Sequence, residues 1–334
     1  MRAEIEDESW TPPAYSIDAD GKVIGATNHR RPNNWGRWGP MDQIGAANFI
    51  TPEVIVHAAS LIRTGRAVSC AIPLDSTGPV YPGRAGVFHA YTYAGADYVA
   101  GAPIARQLGA YHGTDDVLFM PLQGSTQWDG LAHVGVDHML YNGFWIGTVA
   151  ASSGARRCSI HQMKARLQGR GVLLDLVAHH GVERLLPGRA ITSRELEACA
   201  AAQQVEILTG DILIIRTGHV PYYYSLADKQ PFFAEGAPGL SIETVDWLHA
   251  REVAAVAMDN IAIEVEPFQE PFDHPFPLHG RLIRDLGLTL GEIWWLEDLA
   301  LACREEQRFE FFISAAPLNV TNAAGSPINP IALF

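Results

Sequence analysis

Short apolar runs alternate with capped helical segments along most of this chain, and that alternation restricts the fold more than any other feature. AVSCAIPLD (67–75), VLLDLVA (172–178), DILIIRT (211–217) and EVAAVAMD (252–259) read as strands, rich in β-branched and aliphatic residues. The helical segments between them have readable ends. Thr51 is a natural N-cap, with Pro52 at the first helical position, Glu53 complementing the dipole and Gly65 past the far end. Thr192 and Glu195 form a capping box for RELEACAAAQ. A helix around SIETVDWLHAR precedes EVAAVAMD, a helix starts near His279, and a final strand near FEFFISAAPL is expected to complete the chain. The segment with Tyr222, Tyr223 and Tyr224 reads as a loop. Strands alternating with helices predict an α/β fold.

Residues 1–34 are rich in Pro, Asp and Asn, with only KVIGAT resembling a short strand, and are expected to form an extended arm. Residues 35–334 show no repeat and no linker composition, so they are expected to form a single domain. Within it, residues 78–125 are Gly-, Pro- and aromatic-rich with weak periodicity. Loops that long in a compact domain are usually functional or packed over a site.

Composition narrows the partners. Of 334 residues, 48% are hydrophobic and 18% charged, which suits a folded chain with a substantial core. The 24 Lys and Arg against 37 Asp and Glu leave a formal charge of −13, which argues against nucleic acid or an anionic membrane as partner. Cys70, Cys158, Cys199 and Cys303 are widely spaced and form no CxxC pair, so reduced, mostly buried thiols are expected. The acidic start MRAEIEDESWTPP is unlike a signal peptide, and no stretch approaches 18 uninterrupted apolar residues. A cytoplasmic location is the expectation.

The densest polar constellation is MPLQGSTQWDGLAH, from Met120 to His133, followed by VGVDHMLYNG. Gln123, Gln127, Asp129 and His133 share odd positions, which in an extended segment point to one face, with Gly124 and Gly130 interrupting the strand. A carboxylate, an imidazole and carboxamide oxygens on one face are able to hold a divalent cation and a base, and the oxygens favour Mn or Mg over Zn. A polar turn whose side chains bond the backbone is the competing reading. A second cluster, DHPFPLHGRLIRDLGLTLGEIWWLEDL, holds His274, His279, Glu292 and Glu297. Asp259 with Asn260, and Glu264 with Glu266, form a third group near the end of EVAAVAMD, where sites and loop caps are both common. GxGxxG, GxxxxGK[ST], GxSxG and HExxH patterns are all absent, which counts against phosphate-cradling loops, the common serine hydrolases and zincins.

GSTQWDGLAH resembles the HxGTHxDxPxH signature of the cyclase-like metal hydrolases, a family that includes bacterial kynurenine formamidase, isatin hydrolase and a trans-dienelactone hydrolase. Thr126, Asp129 and His133 match its fixed places, while Gln123 and Gln127 replace its two leading histidines and Leu131 its proline. The resemblance extends to NNWGRWGPMDQIGAANFITPE, GRGVLLDLVAHHGVERLLPG, GDILIIRTG and the closing APLNVTNAAGSPINPIA. It implies the swivelling β/β/α fold and a homodimer or homotetramer. It implies metal ligation at Gln123, Gln127 and Asp129, and a base or proton shuttle at His133. It further implies that His279 with Glu292 completes the site, Glu297 being the rival to Glu292. Losing two histidines removes the ligands that favour zinc, which leaves open manganese, zinc, a weakly held ion, or none.

The expected activity is metal-dependent hydrolysis of an amide or ester bond, lactone-like or cyclic, in a small ring-bearing molecule. His133 would relay the proton of an activated water. Trp38, Phe88 and Trp128, with Tyr91 and Tyr93, are candidates to line an apolar pocket, although plain core packing competes for at least half of these aromatics. A non-hydrolytic cyclase or dehydratase using His133 without metal is the alternative, and a binding protein that has lost turnover a further one.

Overall fold

The structure, a computed structural model, describes residues 15–269 and 275–334. Nine of its strands build one mixed sheet: β1 (Ala67–Ser69), β2 (Gln127–Asp129), β3 (Gln168–Asp175), β4 (Ile212–Arg216), β5 (Ala255–Met258), β6 (Thr289–Glu292), β7 (Glu310–Ser314), β8 (Gly325–Pro327) and β9 (Ile331–Leu333). Their order across the sheet is β1-β9-β7-β3-β4-β5-β6-β2-β8. The central four, β3 to β6, run parallel, and antiparallel strands flank them on both sides.

The centre is parallel because β4, up to its closing Arg216, and β5 are apolar. Every residue of ILIIR and AVAM is buried, a pattern that needs cover on both faces. Each Ile or Leu buried there contributes roughly 1.5–3 kcal/mol relative to exposure. Helices α1 (Pro52–Ala59) and α2 (Ser193–Ala202) pack on β3, and α3 (Glu297–Glu306) packs on β1 and β3. The Thr51 and Thr192 hydroxyls accept the N–H groups of Val54 and Glu195, satisfying helix donors that would otherwise be orphaned.

Three expectations need correction. VLLDLVA is not one strand: β3 stops at Asp175, whose carboxylate accepts the Ala178 N–H at 3.1 Å and starts a short helix, Leu176–His180. The three tyrosines lie on a helix, His219–Ser225, rather than in a loop. FEFFISAAPL supplies β7 but does not close the fold, since β9 inserts between β7 and β1. Strands of three residues are too short to show a period, so the sequence gives no warning of β8 or β9.

Residues 78–125 contain a two-stranded ribbon, Phe88–Tyr93 with Asp115–Phe119, whose side chains are mostly exposed. The described part of the N-terminal arm is docked by buried hydrogen bonds. Asn28 Nδ2 donates to Asp285 Oδ1 at 2.9 Å, and Asn34 Nδ2 to the Leu286 carbonyl at 2.9 Å. All four cysteines are free and buried. Among the described residues, no helix is long and apolar enough to cross a membrane.

Candidate active site

The site forms where β2 meets β6. Glu292 stands directly opposite Gln127 in this antiparallel pair, and Gly291 opposite Trp128. Residues facing each other across a ladder share a side of the sheet. Gln127 Nε2 therefore reaches Glu292 Oε2 at 2.9 Å, while Trp128 turns to the other face. There its indole is fully buried, donates to the Ala315 carbonyl at 2.6 Å, and packs against Trp294. Gly291 makes room for it: a Cβ at that position would lie 2.6 Å from the Trp128 ring.

Asp129 shares the Gln127 face and is 1% exposed. After Gly130 the chain turns, with the His133 N–H bonded to the Gly130 carbonyl at 2.9 Å. That turn brings His133 Nε2 to 3.7 Å from Asp129 Oδ2. The strand spans only Gln127–Asp129, so His133 arrives by a turn rather than by the alternation of a longer strand.

His279 enters from a short helix, Pro277–His279, that leads directly into a π-helix, Gly280–Asp285. Glu264 caps that helix by accepting the N–H groups of Leu278 and His279 at 3.2 and 3.1 Å, and also holds the His279 ring, Nδ1 to Oε1, at 2.5 Å. The other ring nitrogen, Nε2, lies 3.1 Å from Glu292 Oε1. Burial alone would lower the His279 pKa, but the bonds to Glu264 and Glu292 outweigh it and raise it to about 10. Burial pushes the Asp129 carboxyl up, with His133 opposing, and pushes the His133 imidazole down, with Asp129 opposing.

One ligand atom each from Asp129, His279 and Glu292 can be chosen within 4.8 Å of one another. Both Asp129 oxygens and Gln127 Oε1 are buried with no hydrogen-bond partner among the described residues. Leaving a buried carboxylate unsatisfied costs on the order of several kcal/mol. The orphaned Asp129 oxygens belong to this cluster, and Gln127 is held beside it by its bond to Glu292, so the residues fit a divalent cation that prefers oxygen donors.

Asp129, His133, His279 and Glu292 line a cavity of about 640 Å³, together with Tyr81, Arg84, Val136, Ile261 and Phe276, while Gln127 stands outside the lining. The remaining sequence candidates lie elsewhere. Gln123 sits in a turn outside the cavity lining, its amide against Gly325. Trp38 packs edge-on against Phe49, and Phe88 is 59% exposed on the ribbon. Trp128 is core because strand alternation sends it away from Asp129. Glu297 begins α3 and is bound through both oxygens by Arg216 at 2.7–2.8 Å. His274 lies outside the described residues. Glu264, visible in sequence as part of an acidic group, takes a specific place only here. Tyr81 and Arg84, in an aromatic-rich segment without periodicity, gave no signal.

A mixed sheet flanked by helices, with a carboxylate–imidazole cluster at a strand pair, defines an α/β protein that presents polar groups in a cavity with apolar walls. The chain belongs to the Cyclase family, whose model matches residues 68–265. It is 47% identical to a protein whose crystal structure is described as a novel cyclase, over 90% of this chain and 99% of that one, with a TM-score of 0.85. Isatin hydrolase A from Labrenzia aggregata, in a structure bound to benzyl benzoate, is 18% identical over 82% of this chain and 94% of that one, with a TM-score of 0.56. Isatin hydrolase A from Ralstonia solanacearum is also 18% identical, over 80% and 91%, with the same TM-score. These likenesses establish the swivelling β/β/α fold. No curated protein sequence matches the chain.

Proposed function

We propose that this protein is a metal-dependent hydrolase that opens an amide or ester bond, lactone-like or cyclic, in a small ring-bearing molecule. The observation that carries this reading is the pair of orphaned Asp129 oxygens, beside His133 and lining one cavity. Asp129 with Gln127 Oε1 and Glu292 would hold the cation, an oxygen-rich set that suits manganese better than zinc. When bound, the cation would polarise the scissile carbonyl and lower the pKa of a water.

The protein's own residues supply the rest. His133, its pKa lowered by burial, is neutral near pH 7 and free to take a proton at Nε2. Its 3.7 Å approach to Asp129 favours the imidazolium once formed, so the proton can be held and returned to the leaving group. His279 fixes Glu292 by a bond at Nε2 while Glu264 fixes His279, which keeps the Glu292 oxygens in place. Val136, Ile261 and Phe276 provide an apolar wall for a ring.

The test combines elemental analysis of the purified protein with a hydrolysis panel of aryl formamides, cyclic amides and lactones. About one divalent ion per chain, and turnover lost with chelator and restored by manganese, are expected. Turnover indifferent to exhaustive chelation would overturn the metal-dependent reading.

A further inference from the structure

We infer that Arg84 anchors a carboxylate on the substrate, so that the cavity takes a monoanionic molecule with an apolar, ring-sized body. The inference deepens the hydrolase reading and rests on it for the bond that is opened, but not for what is bound.

The cavity walls differ in chemistry. Asp129 and Glu292 make one part acidic, and Val134, Val136, Ile261 and Phe276 make another apolar. Arg84 is the one lysine or arginine side chain among the lining residues. It is half-buried and held in place, with NH1 donating to the Gln123 carbonyl at 2.7 Å and the guanidinium 5.6 Å from the Tyr81 ring.

Arg84 combines a place in the cavity lining with a missing counter-charge; half-buried Arg166, Arg184 and Arg308 also lack a carboxylate partner among the described residues, but none of them lines this cavity. The buried arginines of this fold are all matched: Arg170 by Asp211, Arg216 by Asp175, and Arg284 by Asp285. Among the described residues no carboxylate ion-pairs with Arg84, although the chain carries thirteen more acidic than basic residues (37 − 24). A guanidinium offers five N–H donors in a planar fork. The Gln123 carbonyl takes one, which leaves the others for a ligand in the cavity. The charge of Arg84 is felt at the reacting groups, where it opposes the upward shift of Asp129 and adds to the downward shift of His133.

The neighbours decide which anion fits. A single guanidinium beside Asp129 and Glu292 suits one negative charge and disfavours a dianion such as a phosphate monoester. A planar carboxylate matches the guanidinium fork in geometry. A cavity of about 640 Å³ accommodates a ring and its substituents.

The experiment titrates the full chain, with chelator present, against phenylacetate and its neutral isostere 2-phenylacetamide, read by ligand-observed NMR. Chelator prevents capture of the carboxylate by a cation at Asp129. The unaltered chain should bind phenylacetate about tenfold more tightly, equivalent to about 1.4 kcal/mol. Arg84→Gln should erase that preference, and Arg84→Lys should keep part of it, because a point charge replaces the fork. Equal affinities in the unaltered chain would overturn the inference without any variant. An unchanged preference in Arg84→Gln, shown by its thermal melt to be folded, would overturn it too. Because the readout is metal-free binding, a failed hydrolysis panel with an intact phenylacetate preference counts against the hydrolase reading alone.

Discussion

Glu264 holds His279 twice, accepting the ring Nδ1–H at 2.5 Å and the backbone N–H at 3.1 Å. One carboxylate thus sets both the start of a helix and the orientation of the imidazole it presents. Glu264→Gln keeps the shape but removes the charge that favours the imidazolium. Loss of such an orienting group typically costs 10–100-fold in metal affinity or activity. We expect a folded variant with both turnover and manganese affinity reduced on about that scale. A variant that loses neither would show that Glu264 is only a helix cap.

Asp129→Asn should sharply reduce cation retention, because a neutral amide replaces charged oxygens that have no hydrogen-bond partner among the described residues. The measurement is elemental analysis after dialysis, paired with thermal melts. Manganese should raise the melting temperature of the unaltered chain and leave that of the variant unmoved. A cation-induced shift of the same size in both would move the ion away from Asp129.

His133→Ala should lower turnover by about 10² or more, the usual scale for a general base. His133 is not packed in the core and its side chain is 24% exposed, so the melting temperature should change little. Near-normal turnover would remove His133 from proton transfer.

Separate Gln substitutions distinguish Glu292 from Glu297. Glu292 is 3% exposed and shared by Gln127 and His279, whereas Glu297 is spent on Arg216 at the start of α3. Glu292→Gln should abolish most turnover. Glu297→Gln should cost roughly 1 kcal/mol of stability, the order of a partly exposed ion pair, and leave turnover intact. The reverse outcome in the activity assay would exchange their roles.

His219 supplies a pH prediction remote from the cavity. It is fully buried, stacked on Phe232, with neither ring nitrogen hydrogen-bonded among the described residues. Burial first, and Arg184 second, lower its pKa to about 3. The unfolded chain takes up this proton near the ordinary value of about 6.5 and the native state does not. Stability from this group is therefore complete above about pH 6.5 and declines by about 1.4 kcal/mol per unit as pH falls toward 3. Urea melts from pH 7 to pH 4 should show a shallower decline in His219→Phe. Parallel curves would refute the assignment.

Much of the fold is legible in the sequence because its signals are local. The unbroken apolar runs of β4 and β5, and the caps at Thr51 and Thr192, depend on neighbours within one turn or one strand. The pairing of Gln127 with Asp129 on one face follows from a period of two, and the same period sends Trp128 into the core, so its inclusion among pocket aromatics conflicts with the strand it stands on. Distance in sequence hides the rest. Gln127 meets Glu292 across 165 residues because β2 runs antiparallel to β6. Glu264 meets His279 across 15 residues through a helix cap that no periodicity announces.

The sequence by itself determined which chemical groups are present: an α/β core, a carboxylate and an imidazole four residues apart, and acidic residues at strand ends. Only the tertiary structure decided which of them share a dielectric environment. Burial orphans the oxygens of Asp129, two carboxylates keep His279 charged, and Arg84 faces the cavity without a counter-ion. These properties arise from desolvation and Coulomb interaction over a few ångströms, and such distances are set by packing between segments far apart in the chain.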